Sequence, residues 1–495
     1  MKKYSGLLLV PAIVGVLAVV YPNIFRRTDA IVAELGPLLS PGASIVLPTS
    51  NATLFIELTR RYIEVMHPDF SAVVRVGAEA DVPVIIKYAN RKGRPILAAN
   101  RRHGWSVSLS SVHNAILIDI STLTTINIDA AVNTVTVGGG VSAADVLGTL
   151  YAAKKQTTVG VCDCVGMLGA SLGGGHGRLQ GLHGLMTDNI VSVQLATASG
   201  EMITVSNTSN ADLFWALRGA GHNFGIITEA VYRIYDQIND GFQFDAEIIY
   251  APDQIEALFT AIEEFTQTPE TSIFVIFVPG PDLIPIVSLS FSSYTPAAQA
   301  LSQFEASFGH LPHLTRTDSI VPSDQMNTVG SLGLGHVACQ SRERKNTYGA
   351  SLKRYDPPTI RAVYDSFAQF LKTNPAATGS GILWETYPVH AVQAVPEAET
   401  AYAHRQERHL VMLLAGYPNS TLDSAANTWL GSVAAALHST GGFERPMVYM
   451  NYAQGTEGLG ALYGYDEWRL ERLKALKKRY DPEGVFSGYH AIPSE

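Results

Sequence analysis

The sequence predicts an α+β protein of two to three domains, with an antiparallel sheet covered by helices in its second half. Between about residues 71 and 235 short strand patterns alternate with glycine turns, and from about residue 240 long apolar strands separate amphipathic helices. The 495 residues exceed what one hydrophobic core holds. A hydrophobic content of 46% against 16% charged residues describes a packed globular chain rather than a disordered one. The net charge of -9, with no cluster of Lys and Arg, argues against a nucleic-acid partner. A small molecule is the expected partner, neutral or cationic by that balance.

In chain order, Lys2 and Lys3 precede an apolar run over residues 7–21 of the length of a signal-peptide core. Residues 1–25 are therefore read as a signal peptide or signal anchor, which places the protein on the secretory route, secreted or endomembrane. Membrane contact is expected only from an uncleaved anchor. Asn51 (N-A-T), Asn207 (N-T-S) and Asn419 (N-S-T) are glycosylation sequons compatible with that route. Three cysteines are too few for a disulfide framework, and the odd number leaves at least one unpaired within the chain.

The stretches 115–120, 125–129 and 134–137 read as strands, and "GGG" at 138–140 then breaks the chain. Ser142, with Asp145 three residues on, opens a helix. Residues 190–206 read as a hairpin turning at 198–201, and 212–235 as a helix, a glycine loop and a further strand. Beyond residue 240, apolar strands are expected at 272–278, 283–294, 381–389, 409–418 and 446–453. Helices are expected at 253–266, 296–308, 358–372, 424–438 and 466–479.

The stretch "GVCDCVGMLGASLGGGHG" (160–177) puts two cysteines one residue apart, ahead of six glycines and a histidine. C-x-C is a poor spacing for one zinc ion, so no metal is expected, and a Cys162–Cys164 disulfide would be strained. Bare backbone N–H groups at Gly173, Gly174 and Gly175 can form an anion-binding nest for a pyrophosphate. The loops 138–140 and 218–225 have the same character, and tight turns at a sheet end are the plain alternative. The spacing of Gly219, Gly221 and Gly225 misses the dinucleotide fingerprint, and no Walker loop is present.

Four stretches, "NRRHGWS" (100–106), "GVCDCVGMLGASLGGGHG" (160–177), "DNIVSVQLATASGE" (188–201) and "DLFWALRGAGHNFGIIT" (212–228), resemble the flavin-binding domain of the vanillyl-alcohol-oxidase superfamily. With "YMNYA" (449–453) and "YDPEGVFSGYHAIP" (480–493), the likeness is to the berberine bridge enzyme group, in particular fungal secondary-metabolite oxidases. The resemblance implies a two-part FAD-binding domain of the PCMH type at 26–238, a substrate domain at 239–448 and a berberine-bridge-like segment at 449–495 that returns to the first.

It further implies FAD attached to the protein, through His103 to the 8α-methyl group and through Cys162 to C6 of the ring. Arg101 and Arg102 replace small residues before that histidine and offer charge to the pyrophosphate. Cys164 replaces a small residue and competes with Cys162. Gly104, Gly166, Gly169, Ser171 and Gly173 to Gly175 are the expected backbone cradle. His176 belongs near the flavin pyrimidine or pyrophosphate, Ile227 beside the adenine side, and Asn451 in a pair with Tyr452 against the flavin. Many relatives carry a Tyr where this chain has Trp105, which cannot take a proton. Glu385, Tyr387, Tyr449 and Tyr452 are therefore the candidate bases. The implied activity is hydride transfer from a small, largely apolar metabolite to flavin N5, with O2 reduced to hydrogen peroxide, as alcohol oxidation or oxidative ring closure. A flavin dehydrogenase using another acceptor, and a non-redox cyclase or binding scaffold, are the alternatives.

Overall fold

The computed structural model describes residues 30–339 and 344–494. The expected leader at 1–25 lies outside the described residues, and no helix among them is long and apolar enough to cross a membrane.

Two sheets occupy the first half of the chain. In the first, β1 (Ser44–Val46) pairs antiparallel with β2 (Phe70–Arg75), and β2 and β3 (Ile96–Ala99) flank β4 (Ala115–Asp119) in parallel. Helix Asp81–Lys92 supplies the crossover that parallel strands require. The second sheet is antiparallel, in the order β5 (Ile126–Asp129), β6 (Thr134–Gly138), β10 (Ile226–Arg233), β8 (Ile190–Ala196), β9 (Met202–Ser206). A two-stranded ribbon of β7 (Lys155–Gln156) and β11 (Tyr235–Asp236) lies beside it. The capping box at Ser142 and Asp145 forms, and the hairpin turns where Gly200 takes φ +75°.

The third sheet has seven antiparallel strands. Its order is β15 (Thr315–Pro322), β12 (Phe242–Tyr250), β14 (Pro285–Ser293), β13 (Thr271–Pro279), β17 (Gly381–Thr386), β18 (His409–Tyr417), β16 (Arg344–Leu352). Helices Ile255–Glu264, Ala297–Phe308, Pro357–Thr373 and Asp423–Thr440 cover one face. The fifth expected helix, Glu467–Tyr480, instead buries Leu473 and Leu476 in the core of the second sheet, together with Val448, Met450 and Ile492.

Strand alternation sorts this sheet cleanly. Ile273, Val275 and Phe277 of β13, Ile382 and Trp384 of β17, and Val411 and Leu413 of β18 enter the helix-covered core. The alternate residues face the first half of the chain. Residues 446–453, expected as a strand, are not one. The chain passes through a short helical turn, Met450–Tyr452, with the Tyr449 N–H on Ser351 Oγ and the Val448 N–H on the Ala461 carbonyl. Its apolar residues belong to the second sheet's core, so their spacing answers to that packing rather than to a strand's period.

Candidate functional site

A cavity of about 780 Å³ runs between the two sheets of the first half and the uncovered face of the seven-stranded sheet. That volume falls within the range of small-molecule and cofactor sites, about 300–1,000 Å³. One wall is aromatic. His103 stacks on Tyr62 at 4.5 Å between ring centres, and Trp105 lies 5.4 Å from Tyr452. The opposite wall is the sheet, where Phe274, Ile276, Leu383, Met412 and Leu414 present the residues that alternation keeps out of the core.

His103, Cys162, Arg101, Arg102, Gly104, Gly166, Gly169, Gly175, His176, Ile227 and Asn451 all line this cavity. Gly169 sits within helix Met167–Leu172, and a Cβ there would meet no atom within 4 Å, which leaves a cradle open toward the ligand. Gly166 precedes that helix against Asn100. Gly104 lends its carbonyl to the buried Arg61 guanidinium. Gly174 and Gly175 take φ +118° and +81°, which only glycine adopts without strain, so the turn exposes the Gly175 N–H to the Tyr449 hydroxyl at 3.1 Å. Gly173, Gly174 and Ser171 lie off the cavity. A Cβ on Gly173 would collide with Asn451 and one on Gly174 with Tyr402, while Ser171 Oγ donates to the Met167 carbonyl and accepts from Tyr232. The amides are spent as well, Gly173 N–H on the Ala170 carbonyl, Gly174 N–H on the Ser171 carbonyl and Gly175 N–H on Tyr449, so the run of three glycines serves close packing and is not the nest of bare amides that the sequence suggested.

Arg101 pairs with Asp145 at 3.1 Å, and Arg102, at φ +59°, lies 3.8 Å from the buried Asp119. Asn100 Oδ1, Trp105 Nε1, His222 Nδ1 and Arg178 Nε are buried cavity-lining atoms without a hydrogen-bond partner. Buried polar atoms are normally paired, so this scatter of donors and acceptors fits an elongated polar ligand.

The sequence comparisons agree. A family model described as FAD binding domain matches residues 70–206, and one described as Berberine and berberine like matches 448–493. FAD-linked oxidoreductase anuG of Penicillium roqueforti is 37% identical over 469 residues, covering 93% of this chain and 91% of that protein. The chain belongs to the FAD-linked oxidoreductases. FAD-linked oxidoreductase srdI of Neurospora crassa is 33% identical over 503 residues, covering 100% of this chain and 99% of its own. In fold, this oxidoreductase superposes on Physcomitrella patens BBE-like 1 with a TM-score of 0.82 at 21% identity, covering 93% of this chain and 99% of that one. FAD is the cofactor, and the residues that line the cavity fit it.

At the Cys162 end of the cavity the cysteines are divided. Cys164 is bonded to Cys339, and Cys162 keeps its thiol. The sequence left Cys164 as a competitor for the flavin; its partner 175 residues away leaves Cys162 as the only free thiol among the described residues. Burial pushes the Cys162 thiol up to about 11, the Asp163 charge adds to that, and backbone N–H groups and the Lys345 ammonium oppose it. Lys345 lies 3.9 Å over the Tyr62 ring.

The proposed bases form one cluster with an inner and an outer part. Tyr387, Tyr449 and Tyr452 line the cavity; Glu385 is fully buried behind them. The Tyr387 hydroxyl donates to Glu385 Oε1 and the Tyr452 hydroxyl to Oε2, both at 2.7 Å. Burial raises the Glu385 carboxyl above its usual range, against the pull of those two hydrogen bonds and of the His176 and Arg178 charges. Burial and the Glu385 charge push both tyrosines well above their usual range, so neither ionises alone near neutrality. Tyr449 is committed elsewhere: its oxygen accepts from Asn451 Nδ2 at 2.7 Å as well as from Gly175.

His176 is held from both sides, with Nδ1 2.9 Å from Gln180 Oε1, and Nε2 2.8 Å from the Tyr402 hydroxyl and 3.0 Å from Glu407. Burial works against the Glu407 charge, but hydrogen bonding from His176 and the nearby histidine charges prevail and hold its carboxyl below the usual range. Sequence reasoning missed Tyr402 and Glu407. Their one signal is a stretch between β17 and β18, "AYAHRQERH" (401–409), unusually rich in titratable groups for a segment whose His404, Arg405 and Glu407 are buried.

Proposed function

We propose that this FAD-linked oxidoreductase is an oxidase of a small, largely apolar metabolite and that it works on the secretory route. The observation that carries the reading is Glu385, a buried carboxyl bonded to two tyrosines that face the cavity. When bound, FAD supplies hydride acceptance at flavin N5 from a substrate C–H bond and reoxidation by O2 to hydrogen peroxide.

The chain's residues supply binding and proton handling. His103 and Cys162 would hold the ring covalently, and Gly166, Gly169 and Gly175 bring backbone close to the cofactor. Phe274, Ile276, Leu383, Met412 and Leu414 offer the substrate an apolar face. A substrate O–H or N–H gives its proton to the oxygen of Tyr452 or Tyr387 while that hydroxyl's own proton passes to Glu385. A raised carboxyl pKa suits this role, because the acceptor must be ionised before turnover and willing to hold a proton after it. Trp105 packs against Tyr452 and restricts its ring without offering a base.

The secretory route is supported by the Cys164–Cys339 disulfide, since such bonds persist in oxidising compartments. The three sequon asparagines, Asn51, Asn207 and Asn419, are all exposed. Oxygen uptake and peroxide release from the purified holoenzyme, screened over small alcohols and phenols, test the activity. Flavin bleaching without oxygen uptake would make it a dehydrogenase, and a flavin that no substrate bleaches would favour a non-redox role.

A further inference from the structure

At one corner of the cavity the chain gathers more nucleophiles than one flavin ring needs. The sulfurs of Cys162, Cys164 and Cys339 lie within 4.8 Å of one another. Cys162 Sγ is 3.9 Å from Cys164 Sγ, and Cys164 Sγ is 3.1 Å from His103 Nε2. His103 and Cys162 line the cavity, so Cys164 touches both residues read as ring attachments. As a thiol it would stand beside an imidazole, the setting that generates a reactive thiolate. As half of a disulfide it has no proton to share and is no nucleophile.

We propose that the Cys164–Cys339 disulfide is a selector for cofactor attachment: it withdraws Cys164 from reaction, directs the C6 link to Cys162, and presses a proton-free sulfur against His103 Nε2 to set that ring's orientation. The proposal rests on the covalent-flavin reading above.

The partner cysteine is delivered by docking. The segment 326–339 lies against the 160–164 loop, with the Asp163 N–H on the Gly335 carbonyl at 3.1 Å and Asn327 Nδ2 on the Gly160 carbonyl at 3.3 Å. Asn327 Oδ1 accepts from the buried Arg178 at 2.8 Å, and His336 Nδ1 lies 3.3 Å from Asp163 Oδ2. Gly335 sits so close to the Val161 carbonyl that a Cβ would collide with it. This contact brings Cys339 to Cys164, whereas closure of Cys162 on Cys164 is disfavoured by the C-x-C spacing. Bond formation gives two electrons and two protons to a disulfide-bearing oxidant by thiol–disulfide exchange. The later link forms a C–S bond at C6 as the S–H and C–H hydrogens leave, with two electrons passing to O2 to give hydrogen peroxide.

The test is peptide mapping of full-length holoenzyme, alkylated without reduction and fragmented finely enough to separate Cys162 from Cys164. Wild type is expected to give a Cys164–Cys339 cross-linked peptide and a flavin joining the His103 peptide to the Cys162 peptide. In Cys339→Ser, the Cys162 link should fall by about half or more, because two thiols then compete for one carbon. The difference should appear as flavin on Cys164. The double variant Cys164→Ser/Cys339→Ser lacks both the bond and the competitor, and should recover wild-type occupancy of Cys162. Full occupancy in Cys339→Ser overturns the proposal, as does failure of the double variant to recover, which would mean the bond only braces the fold. Alkylation of Cys164 and Cys339 in unreduced wild type overturns it as well. A colourless acid precipitate from wild type with the cross-link intact sinks the covalent-flavin reading itself, and the selector with it.

Discussion

Replacing Glu385 by Gln isolates the proton acceptor with little change of shape. Two tyrosine hydroxyls donate to the carboxylate at 2.7 Å, and each bond to a charged acceptor contributes about 1.5–3 kcal/mol. Glutamine keeps one acceptor oxygen but turns an N–H₂ toward the other tyrosine, and it has no site for the proton that turnover would deliver. The loss is therefore that of general-base assistance, about 10²- to 10⁴-fold in the rate of flavin reduction, or ~3–5 kcal/mol of barrier. Anaerobic rapid mixing with a substrate found by oxygen uptake measures it as bleaching of the flavin band. In wild type the rate should rise with pH through the raised Glu385 pKa, since the carboxyl must be ionised to accept; in the variant that limb should vanish. Flavin content should be unchanged, because Glu385 does not line the cavity. A variant reducing its flavin within about threefold of wild type, or keeping the limb, would refute the assignment.

Tyr452→Phe should also slow flavin reduction, but less than Glu385→Gln if Tyr387 shares the proton; equal losses would assign the transfer to Tyr452 alone. Gly169→Leu should lower flavin content by filling the cradle, whereas Gly169→Ala should keep it and stabilise the apoprotein by up to ~1 kcal/mol, as measured by flavin absorbance and thermal unfolding. Lys477→Met should cost ~3–5 kcal/mol in denaturant unfolding, because it strands Asp481, bonded at 2.6 Å, and frees the buried Asn223 and Phe486 carbonyls. Burial lowers His409 to about 4 and His490 to about 3, so the unfolded chain binds protons there that the folded chain refuses. Stability should fall as pH drops from 6.5 toward 4, by up to ~3 kcal/mol for His409, and His409→Gln should flatten that slope.

Where one period governed a segment, the sequence was easy to read. The five expected helices of the second half fall within two residues of their expected ends, four of them because each lays a single apolar stripe on the seven-stranded sheet. Strands β12, β15 and β16 were not picked out; β12 breaks its apolar run with the buried Gln243 and Asp245. β15 is a polar edge strand, and β16 puts Lys345, Asn346, Thr347 and Ser351 in buried positions where an apolar alternation would be looked for. The same holds for 446–453, whose apolar residues serve another core. Local motifs around residues 100–106 and 160–177 brought His103 and Cys162 to the cavity, while the Cys164 pairing and the Glu407 support of His176 depend on contacts 175 and 231 residues apart that no local pattern encodes.

The alternation of β13, β17 and β18 has an evolutionary meaning. Trp384 and Glu385 are chain neighbours, yet one answers to the helix-packed core and the other to the hydroxyls of the cavity-lining Tyr387 and Tyr452. Leu383, Met412 and Leu414 line the cavity and can vary with its ligand while their chain neighbours keep the sheet packed, whereas Phe274 is itself buried against Tyr387. A one-residue slip of β17 would bury the carboxylate among the helices and turn the indole toward the cavity, so one register serves both the core and the tyrosine–carboxylate cluster.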